Sequence, residues 1–417
     1  MLPPLRAVST RILLRRMYYG HSGILQNDTD SVHLLRAADI AEMSMGLTAP
    51  HANSGCVIVR GPHIVGEGFL YGQGSKSAEL QAVERAGEHA RGGTAYLNLE
   101  PGDWLGDNSA VASLIQAGVS RVVVGIRNPF EHLQGRGITA LRHAGLNVDV
   151  AGEDLVDSKG NIAVALKSCR VVNAPLLYKA AYKIPFSVLK YAMTLDGKIA
   201  ASSGHAAWVS GELSRARVFR VRAQSDAVIV GGNTVRRDNP SLTTRKEEGH
   251  QPVRIVMSRG LDLPEKANLW DISKSPTIVM TQKGSKKEFQ KMLMDHGVEV
   301  VEFELLTPRR VMEYCYTRGF LQIMWECGGL LSAPAISSSV IHKVLAFIAP
   351  KIVGGVLAPT PVGELGMLQM TQALNLSEVE FEKVGPDMLV SGYLQPLPDL
   401  PFGNSYGGQS KGQLTFA

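Results

Sequence analysis

The chain has 417 residues, of which 45% are hydrophobic and 19% charged, and its formal net charge at neutral pH is +5. This length exceeds one ordinary hydrophobic core, so two domains with end segments are expected. The small charge excludes nucleic acid as an expected partner, and no apolar run approaches the roughly 18 residues that cross a bilayer. The basic residues fit an anionic small substrate, and the four widely spaced cysteines fit a reducing compartment.

Residues 1–29 have the composition of an organelle transit peptide. No acidic residue precedes Asp28, whereas four arginines do: Arg6, Arg11, Arg15 and Arg16. A disordered basic tail has the same composition, so both interpretations stay open.

From Asp30 onward the sequence alternates between helix and strand patterns. Asp30 is placed to cap an amphipathic helix in "DSVHLLRAADIAEMSMG". Strands are predicted at "GCVIVR", "IVGEGF", "TAYLNLE", "RVVVGI" and "LNVDVA", with helices at 78–91, "SAVASLIQAG" and "GITALRHAG". The pattern predicts an α/β/α sandwich as the first domain, over residues 30–180.

Two stretches of this domain, "GQGSKSAELQAVERAG" and "LEPGDWLGDNSAV", are similar to the zinc-site scaffold of deaminases. The deaminase signature is H-x-E followed by a cysteine pair after proline. Ser77, Gly102 and Val111 stand at the three ligand positions, and they cannot together hold Zn²⁺. Glu79 keeps the acid/base position, but it has no metal-bound hydroxide to serve. We therefore expect no zinc, and a scaffold retained for folding and association.

The alternative is an improvised metal site that uses His89 and Asp103. A chain with such a site would deaminate as well, and the purified protein would carry stoichiometric zinc.

The second domain is predicted over residues 183–400, after a helix and connector within 152–184. Near-continuous apolar strands alternate with helices at about 213–223, 285–295 and 308–318, which is typical of a largely parallel sheet covered on both faces. The strands are "SVLKYAM", "DAVIVGG", "PVRIVMS", "TIVMT", "VEVVEF", "QIMWECGG" and "VLAFIAP". A terminal hairpin that turns at Gly385-Pro386-Asp387 makes the sheet mixed.

The usual dinucleotide and nucleotide fingerprints are absent from this half of the sequence. The candidate phosphate cradle is "ECGGLLSAP", where a strand runs into a glycine pair and then into a helix. Backbone N–H groups at such a junction can receive an anion, although a glycine pair after a strand is more often a simple turn.

In chain order, "LKYAMTLDGKIA", "WVSG", "VRAQSDAVIVGGNTVRRDNPSLTTR", "PVRIVMS", "WECGG" and "LAFIAPKIVGG" resemble the reductase domain of the bifunctional riboflavin-biosynthesis deaminase/reductase family. The resemblance covers about residues 30–395 and is greatest to the plant-type reductase, whose deaminase half is degenerate and whose partner deaminase is a separate protein. It implies a deaminase-like α/β/α sandwich followed by a mixed-sheet domain similar in fold to dihydrofolate reductase. It also implies a plastid location and a homo-oligomer.

The implied reaction is the NADPH-dependent reduction of the ribosyl group of 5-amino-6-(5-phosphoribosylamino)uracil to the ribityl group. Hydride must reach the opened C1′ while a nearby group manages protons. Lys190, Asp238 and Glu326 match the family positions for this catalytic work, and Glu326 also contacts substrate there. From the residues alone, an edge-strand lysine facing water is the less favoured alternative for Lys190, whereas a turn cap before Pro240 is an equal alternative for Asp238.

For the phosphorylated pyrimidine substrate, the resemblance implies Arg222, Leu242 and Arg245, since arginine binds phosphate in a bidentate way. The implied cofactor-binding residues are Ala192, Trp208, Thr234, Asp238, Ser258, Gly328, Gly329, Leu330, Leu331, Ser332, Ala333 and Pro334. Trp208 is also explained by simple packing, and Ala206 stands where many relatives have a substrate-site serine.

A function of another class stays open: a non-catalytic scaffold that binds the pyrimidine intermediate or the separate deaminase. Retention of Lys190, Asp238, Glu326 and both arginines speaks against it. The segment 401–417 is rich in Gly, Ser and Gln and is predicted to be disordered.

Overall fold

The computed structural model describes residues 29–72, 74–102, 109–156, 160–245 and 250–399. The predicted tail, and all but the last residue of the predicted transit segment, lie outside these residues. The described chain forms two mixed β-sheets, one of five strands and one of nine. None of the helices in the described ranges is both long and apolar enough to span a bilayer.

The first sheet has the order β2-β1-β3-β4-β5, with β1 antiparallel to β2 and β3, and with β3, β4 and β5 parallel. Its strands are β1 Gly55–Arg60, β2 His63–Phe69, β3 Thr94–Leu99, β4 Arg121–Ile126 and β5 Asn147–Val150. The helices of this half are α1 Thr29–Ala41, α2 Ala78–Ala86, α3 Ser109–Gln116 and α4 Arg136–His143. Each predicted element of the sandwich is therefore present.

Helix α2 packs closely on strand β2 because two glycines of the strand face it. A Cβ built on Gly66 would lie 2.1 Å from the carbonyl oxygen of Ala82, and one on Gly68 would lie 2.1 Å from that of Ala78. Any side chain at these two strand positions would push the helix away.

The prediction for Asp30 was wrong in its structural role. Asp30 lies in the first turn of α1, and its carboxylate accepts two hydrogen bonds from the Arg121 guanidinium, at 2.8 and 2.9 Å. The Tyr96 hydroxyl donates a third, at 2.8 Å. The carboxylate therefore ties the helix to strands β3 and β4.

Two helices connect the sheets, where a helix and a connector were expected. They are α5 Asn161–Val172 and α6 Ala174–Tyr182. The break falls at Asn173, because Pro175 occupies the first turn of α6 and a proline there starts a new helix readily.

The second sheet has the order β10-β9-β8-β7-β11-β6-β12-β14-β13, parallel from β10 to β12 and antiparallel in the last two pairings. Its strands are β6 Phe186–Thr194, β7 Ala227–Gly231, β8 Val253–Met257, β9 Thr277–Gln282, β10 Glu299–Phe303, β11 Gln322–Trp325, β12 Lys343–Ala349, β13 Ser377–Val384 and β14 Asp387–Tyr393. The helices are α7 Glu212–Ala223, α8 Gly232–Asp238, α9 Lys287–Asp295, α10 Pro308–Thr317 and α11 Gly329–Ser337. The expected mixed sheet and terminal hairpin are confirmed, and α8 is an addition.

Both faces of the parallel part are buried, as the continuous apolar strands predicted. In β7 the side chain of Ile229 joins one hydrophobic cluster, while Val228 and Val230 join the cluster on the opposite face. Alternation along the strand therefore supplies two cores from one apolar run.

Candidate active site

Three of the predicted residues meet in the middle of the second sheet. Lys190 lies on β6, Glu326 follows the neighbouring strand β11, and Arg222 comes from the last turn of α7. Arg222 grips the Glu326 carboxylate with two hydrogen bonds, from Nε at 2.5 Å and from Nη2 at 2.9 Å. The Lys190 ammonium lies 3.6 Å from the same carboxylate. Only 11–17% of these three side chains is exposed.

The charges of this cluster set its protonation. Burial by itself raises the pKa of Glu326, but the neighbouring Arg222 and Lys190 cations outweigh it and bring the pKa down to about 2. Burial lowers the pKa of Lys190, and the Arg222 cation lowers it further against the opposing pull of Glu326. Glu326 is therefore ionised near neutral pH, and Lys190 gives up its proton more readily than an ordinary lysine.

The loop 239–245 lies beside this cluster and has an unusual backbone. Asn239, Leu242 and Arg245 have positive φ angles of 39°, 53° and 56°. Non-glycine residues adopt such angles at a cost, and neighbouring structure must hold them there. The loop touches the cluster where Arg222 donates to the Thr243 carbonyl at 3.0 Å.

The two predicted substrate arginines share one aromatic neighbour. The Arg222 and Arg245 guanidinium carbons lie 5.5 and 5.0 Å from the centre of the Phe219 ring. The Arg222 guanidinium is hydrogen-bonded to Glu326, whereas Arg245 is exposed. Leu242, which belongs to the same loop as Arg245, is buried. Arg245 is accordingly the better placed of the two to bind a phosphate.

Asp238 is the last residue of α8 and therefore not the cap of a turn in front of Pro240. Its side chain is exposed, yet protein atoms crowd the carboxyl enough that loss of water raises its pKa, with Arg237 opposing the shift. Within the part of the chain that the structure describes, no hydrogen bond or ion pair joins Asp238 to Lys190 or Glu326.

The glycine pair of the candidate phosphate cradle does open a helix. Gly328 caps α11 with an extended backbone, and no side chain accepts a hydrogen bond from the first N–H groups of the helix. A Cβ on Gly329 would lie 2.9 Å from Thr360 O and from Gly363 N. Glycine is thus required at 329 because another loop crosses the helix start.

Within the predicted cofactor segment, the Ser332 hydroxyl is already used by the protein. The side chain is fully buried and donates to Pro361 O at 2.7 Å, while its amide donates to Gly328 O at 3.1 Å. The Leu331 amide also donates to Gly328 O, at 3.0 Å. A bound phosphate would therefore accept hydrogen bonds from the first two amides of α11, those of Gly329 and Leu330. The other four residues differ in exposure: exposed Leu330, half-buried Leu331, buried Ala333 and exposed Pro334.

Trp208 is 71% exposed and is therefore not a core residue. Its φ is 61°, the Arg215 guanidinium lies 4.3 Å from its ring centre, and its carbonyl accepts from Lys351. An exposed indole held in a fixed orientation fits an aromatic wall for a ligand.

The other predicted cofactor positions lie along neighbouring elements. They are half-buried and comprise Ala192 on β6, Thr234 in α8 and Ser258 directly after β8. The Ser258 hydroxyl oxygen lies 3.2 Å from the point where a Cβ on Gly232 would stand, so it faces the start of α8. Ala206 is half-buried.

Asp387 is a positioning residue that the sequence pattern indicated only as part of a turn. Its buried carboxylate accepts from the Gly211 amide at 2.7 Å and from the Ser214 hydroxyl at 2.5 Å. These groups lie at the start of α7, the helix that carries Arg222. The terminal hairpin therefore fixes the entry of that helix, and the fact that the hairpin packs there was not visible in the sequence.

In the deaminase-like half, the described residues at the family's zinc-ligand positions have structural surroundings. The Ser77 hydroxyl caps α2 by accepting from the Leu80 amide at 3.2 Å. Val111 is buried, and Gly102 has a φ of 136°. Burial raises the pKa of Glu79, and hydrogen bonds to its own amide and to Ser77 only partly oppose it.

The improvised metal site of His89 and Asp103 is not tested, because Asp103 is outside the described ranges. They contain no group of three or more His, Cys, Asp and Glu side chains that could hold a metal ion. His89 is exposed in the short 3-10 turn that follows α2.

Comparisons with known proteins identify the family and the fold of the chain. Residues 185–390 match the family described as RibD C-terminal domain. The chain is 64% identical over 373 residues to the riboflavin biosynthesis protein PYRR, chloroplastic, of Arabidopsis thaliana, covering 89% of this chain and 62% of that protein. It is 63% identical to the protein of the same name from Zea mays, covering 60% of it. The chain thus spans about three fifths of these plant relatives, whose chloroplastic location confirms the predicted one.

Bacterial relatives match over nearly their whole length. The riboflavin biosynthesis protein RibD of Synechocystis sp. is 44% identical over 383 residues, which cover 92% of this chain and 99% of that protein. The solved structure of Acinetobacter baumannii RibD, form 1, has a TM-score of 0.75 at 27% identity and covers 87% of this chain and 98% of its own. A Thermotoga maritima diaminohydroxyphosphoribosylaminopyrimidine deaminase/5-amino-6-(5-phosphoribosylamino)uracil reductase has a TM-score of 0.73 at 26% identity, covering 87% and 99%. The two-part fold expected from the sequence is therefore confirmed.

Proposed function

The chain belongs to the riboflavin-biosynthesis deaminase/reductase family, plant type, and from that premise we propose that it reduces 5-amino-6-(5-phosphoribosylamino)uracil with NADPH and does not deaminate. The product carries a ribityl group in place of the ribosyl group. One observation carries the proposal: Lys190 and Arg222 hold the Glu326 carboxylate in a nearly buried cluster. Buried opposite charges of this kind mark functional sites more often than ordinary surfaces do.

The family implies a nicotinamide cofactor, and the described residues fit one. Trp208 offers an exposed aromatic face, and the start of α11 has N–H groups that no side chain caps and that suit a phosphate. When bound, the reduced nicotinamide supplies a hydride. NADPH rather than NADH is the finer part of the proposal, with Ser258 and Arg259 as candidates for a contact with its 2′-phosphate.

The protein's own part of the reaction is to polarise the substrate and to supply a proton. Reduction at C1′ of the opened ribose would leave a heteroatom that has lost its double bond and needs a proton from the protein. Lys190 suits this step because its lowered pKa makes the ammonium a stronger acid than a solvated lysine. Asp238, with its raised pKa, is the second candidate. Glu326 stays ionised, so its proposed part is to orient Lys190 and Arg222 and to accept hydrogen bonds from substrate.

The substrate phosphate is proposed to meet Arg245, whose guanidinium is exposed, with Leu242 and the loop backbone beneath it. Arg222 is proposed to contribute mainly through its grip on Glu326. A homo-oligomer, implied by the resemblance, remains a prediction.

Loss of deamination is proposed from the chemistry of the first half. Ser77, Gly102 and Val111 offer no set of donors for zinc, and the buried Glu79 has a raised pKa with no metal-bound water to act on. The first domain is then a scaffold for folding and association.

The test is oxidation of NADPH by the purified chain, with either the deaminated substrate or its undeaminated precursor. Zinc is measured in the same sample. We expect turnover of the deaminated compound alone and no stoichiometric zinc. Turnover of the precursor with bound zinc would instead support the improvised metal site. Failure to oxidise NADPH with either compound, in a sample that binds the pyrimidine, would leave the scaffold.

A further inference from the structure

Arg254 is the largest buried cation outside the cluster just described, and its surroundings are unusual. It lies on β8 within "PVRIVMS", and no part of the residue is exposed. Burial lowers its pKa, to about 10, with Asp271 opposing the shift. A buried charge is costly unless hydrogen bonds surround it, so its retention calls for a specific set of partners.

Those partners are backbone carbonyl groups. Nη2 donates to the carbonyls of Leu269, Asp271 and Ser275, at 3.1, 2.8 and 2.6 Å. Nη1 lies 3.4 Å from the carbonyl of Ser241. It is equally 3.4 Å from the carbonyl of Asn268. The guanidinium therefore joins the turn 268–275 to the loop 239–245.

The same turn holds the loop at a second point. The Asn268 amide donates to Asn239 Oδ1 at 2.7 Å, and Asn268 Nδ2 donates to Asn239 O, also at 2.7 Å. Asn239 is the first of the three loop residues with positive φ. Arg254 thus acts on the loop directly at Ser241 and indirectly through Asn268.

The loop in turn reaches the candidate site within two residues of the Arg254 contact. Ser241 is bound by Arg254, and Thr243 accepts from Arg222, which grips Glu326. Strained backbone angles persist only where surrounding contacts fix them, and Arg254 supplies those contacts from beneath.

We propose that Arg254 is a positioning residue: it fixes the strained loop 239–245 from the buried side and so sets Arg222 and Arg245 for the phosphorylated substrate. The expected effect of Arg254 on activity rests on the proposed function. Its role in fixing the loop 239–245 does not depend on that function. Lysine cannot replace it, because one ammonium group cannot span five carbonyls on two segments as the planar guanidinium fork does.

The main test is Arg254→Lys in the full chain. We expect its KM for the pyrimidine substrate to rise about tenfold, the factor that accompanies loss of one or two hydrogen bonds. The Kd for NADPH should change less than KM, because Trp208 and the start of α11, which are proposed to bind the cofactor, lie outside the loop. Hydrogen exchange of the 239–245 backbone should become faster.

Arg121→Lys is the matched control, since Arg121 is a half-buried arginine of the first sheet bound to Asp30 and Asp149. It should lower the melting temperature without changing KM or exchange in the loop. Arg254→Lys in an Arg222→Lys background should raise KM little further, since both act on one unit.

Should Arg254→Lys not fold, the exposed Asn268→Ala variant removes a weaker part of the same support and should speed loop exchange and raise KM in the same direction. Unchanged loop exchange in these variants, or equal losses of substrate and NADPH affinity, would overturn the inference. A wild-type chain without reductase activity would refute the proposed function alone, because loop exchange still reports on Arg254.

Discussion

Two buried glutamates in the two halves of the molecule have opposite electrostatic surroundings. Glu79, in the deaminase-like half, is buried without a cation that lowers its pKa, and burial raises that pKa. Glu326, in the second half, is buried between Arg222 and Lys190, and its pKa falls to about 2. The two carboxylates are thus both buried, but only that of Glu326 has cationic side chains beside it to stabilise its charge.

The largest expected difference between the two glutamates is in activity. Glu326→Gln should lower kcat/KM for reduction by about 10²–10⁴, because Arg222 and Lys190 lose their shared anion. Glu79→Gln should leave kcat/KM unchanged. Both are measured as NADPH oxidation with the deaminated substrate. A Glu79→Gln variant as impaired as Glu326→Gln would break the contrast and assign the first half a part in the reaction.

The second largest expected difference between the two glutamates is in how they make stability depend on pH. The folded pKa of Glu326 lies at about 2, below the ordinary value of 4.5, so its contribution is present above pH 4.5 and is lost as pH falls towards 2. The pKa difference corresponds to roughly 3 kcal/mol of unfolding free energy. For Glu79 the sign reverses: a raised folded pKa favours folding at low pH, and that contribution is lost as pH rises through it.

Urea unfolding at several pH values therefore separates the two residues. Glu326→Gln should be destabilised near neutrality and should lose part of the wild-type decline in acid. Glu79→Gln should be more stable than wild type near neutrality, since it removes a buried charge. Identical pH profiles for the two variants would contradict these opposite signs.

The smallest effect concerns Ser77, which stands at a zinc-ligand position but acts as a helix cap. Ser77→Ala should cost about 1 kcal/mol of unfolding free energy and leave reduction unchanged. Thr307→Ala is the matched variant in the second half, because Thr307 caps α10 by accepting from the Arg310 amide at 3.3 Å. Equal losses in urea unfolding would show that Ser77 retains only a structural role. A much larger loss at Ser77, or a change in bound metal, would refute this.

Apolar periodicity in the sequence was sufficient to predict the strands and most helices, because each strand's burial is written in its own residues. Local sequence patterns gave the wrong role to a side chain whose partner is far away in the sequence. Asp30 looked like a helix cap, yet its carboxylate binds Arg121 on another strand. Helix α8 was not predicted, since "GNTVRRD" carries little apolar pattern.

For the candidate site, too, the sequence determined one part and the tertiary structure another. The sequence alone showed that side chains able to bind zinc are missing from the three ligand positions. Through family resemblance, it also identified Lys190, Arg222 and Glu326 as candidates. Tertiary structure decided how they combine, because Arg222 and Glu326 are separated by 104 positions and meet only when α7 packs beside β11. It also gave Arg254 its partners, since five backbone carbonyls have no signature in the sequence until the fold brings them to one guanidinium.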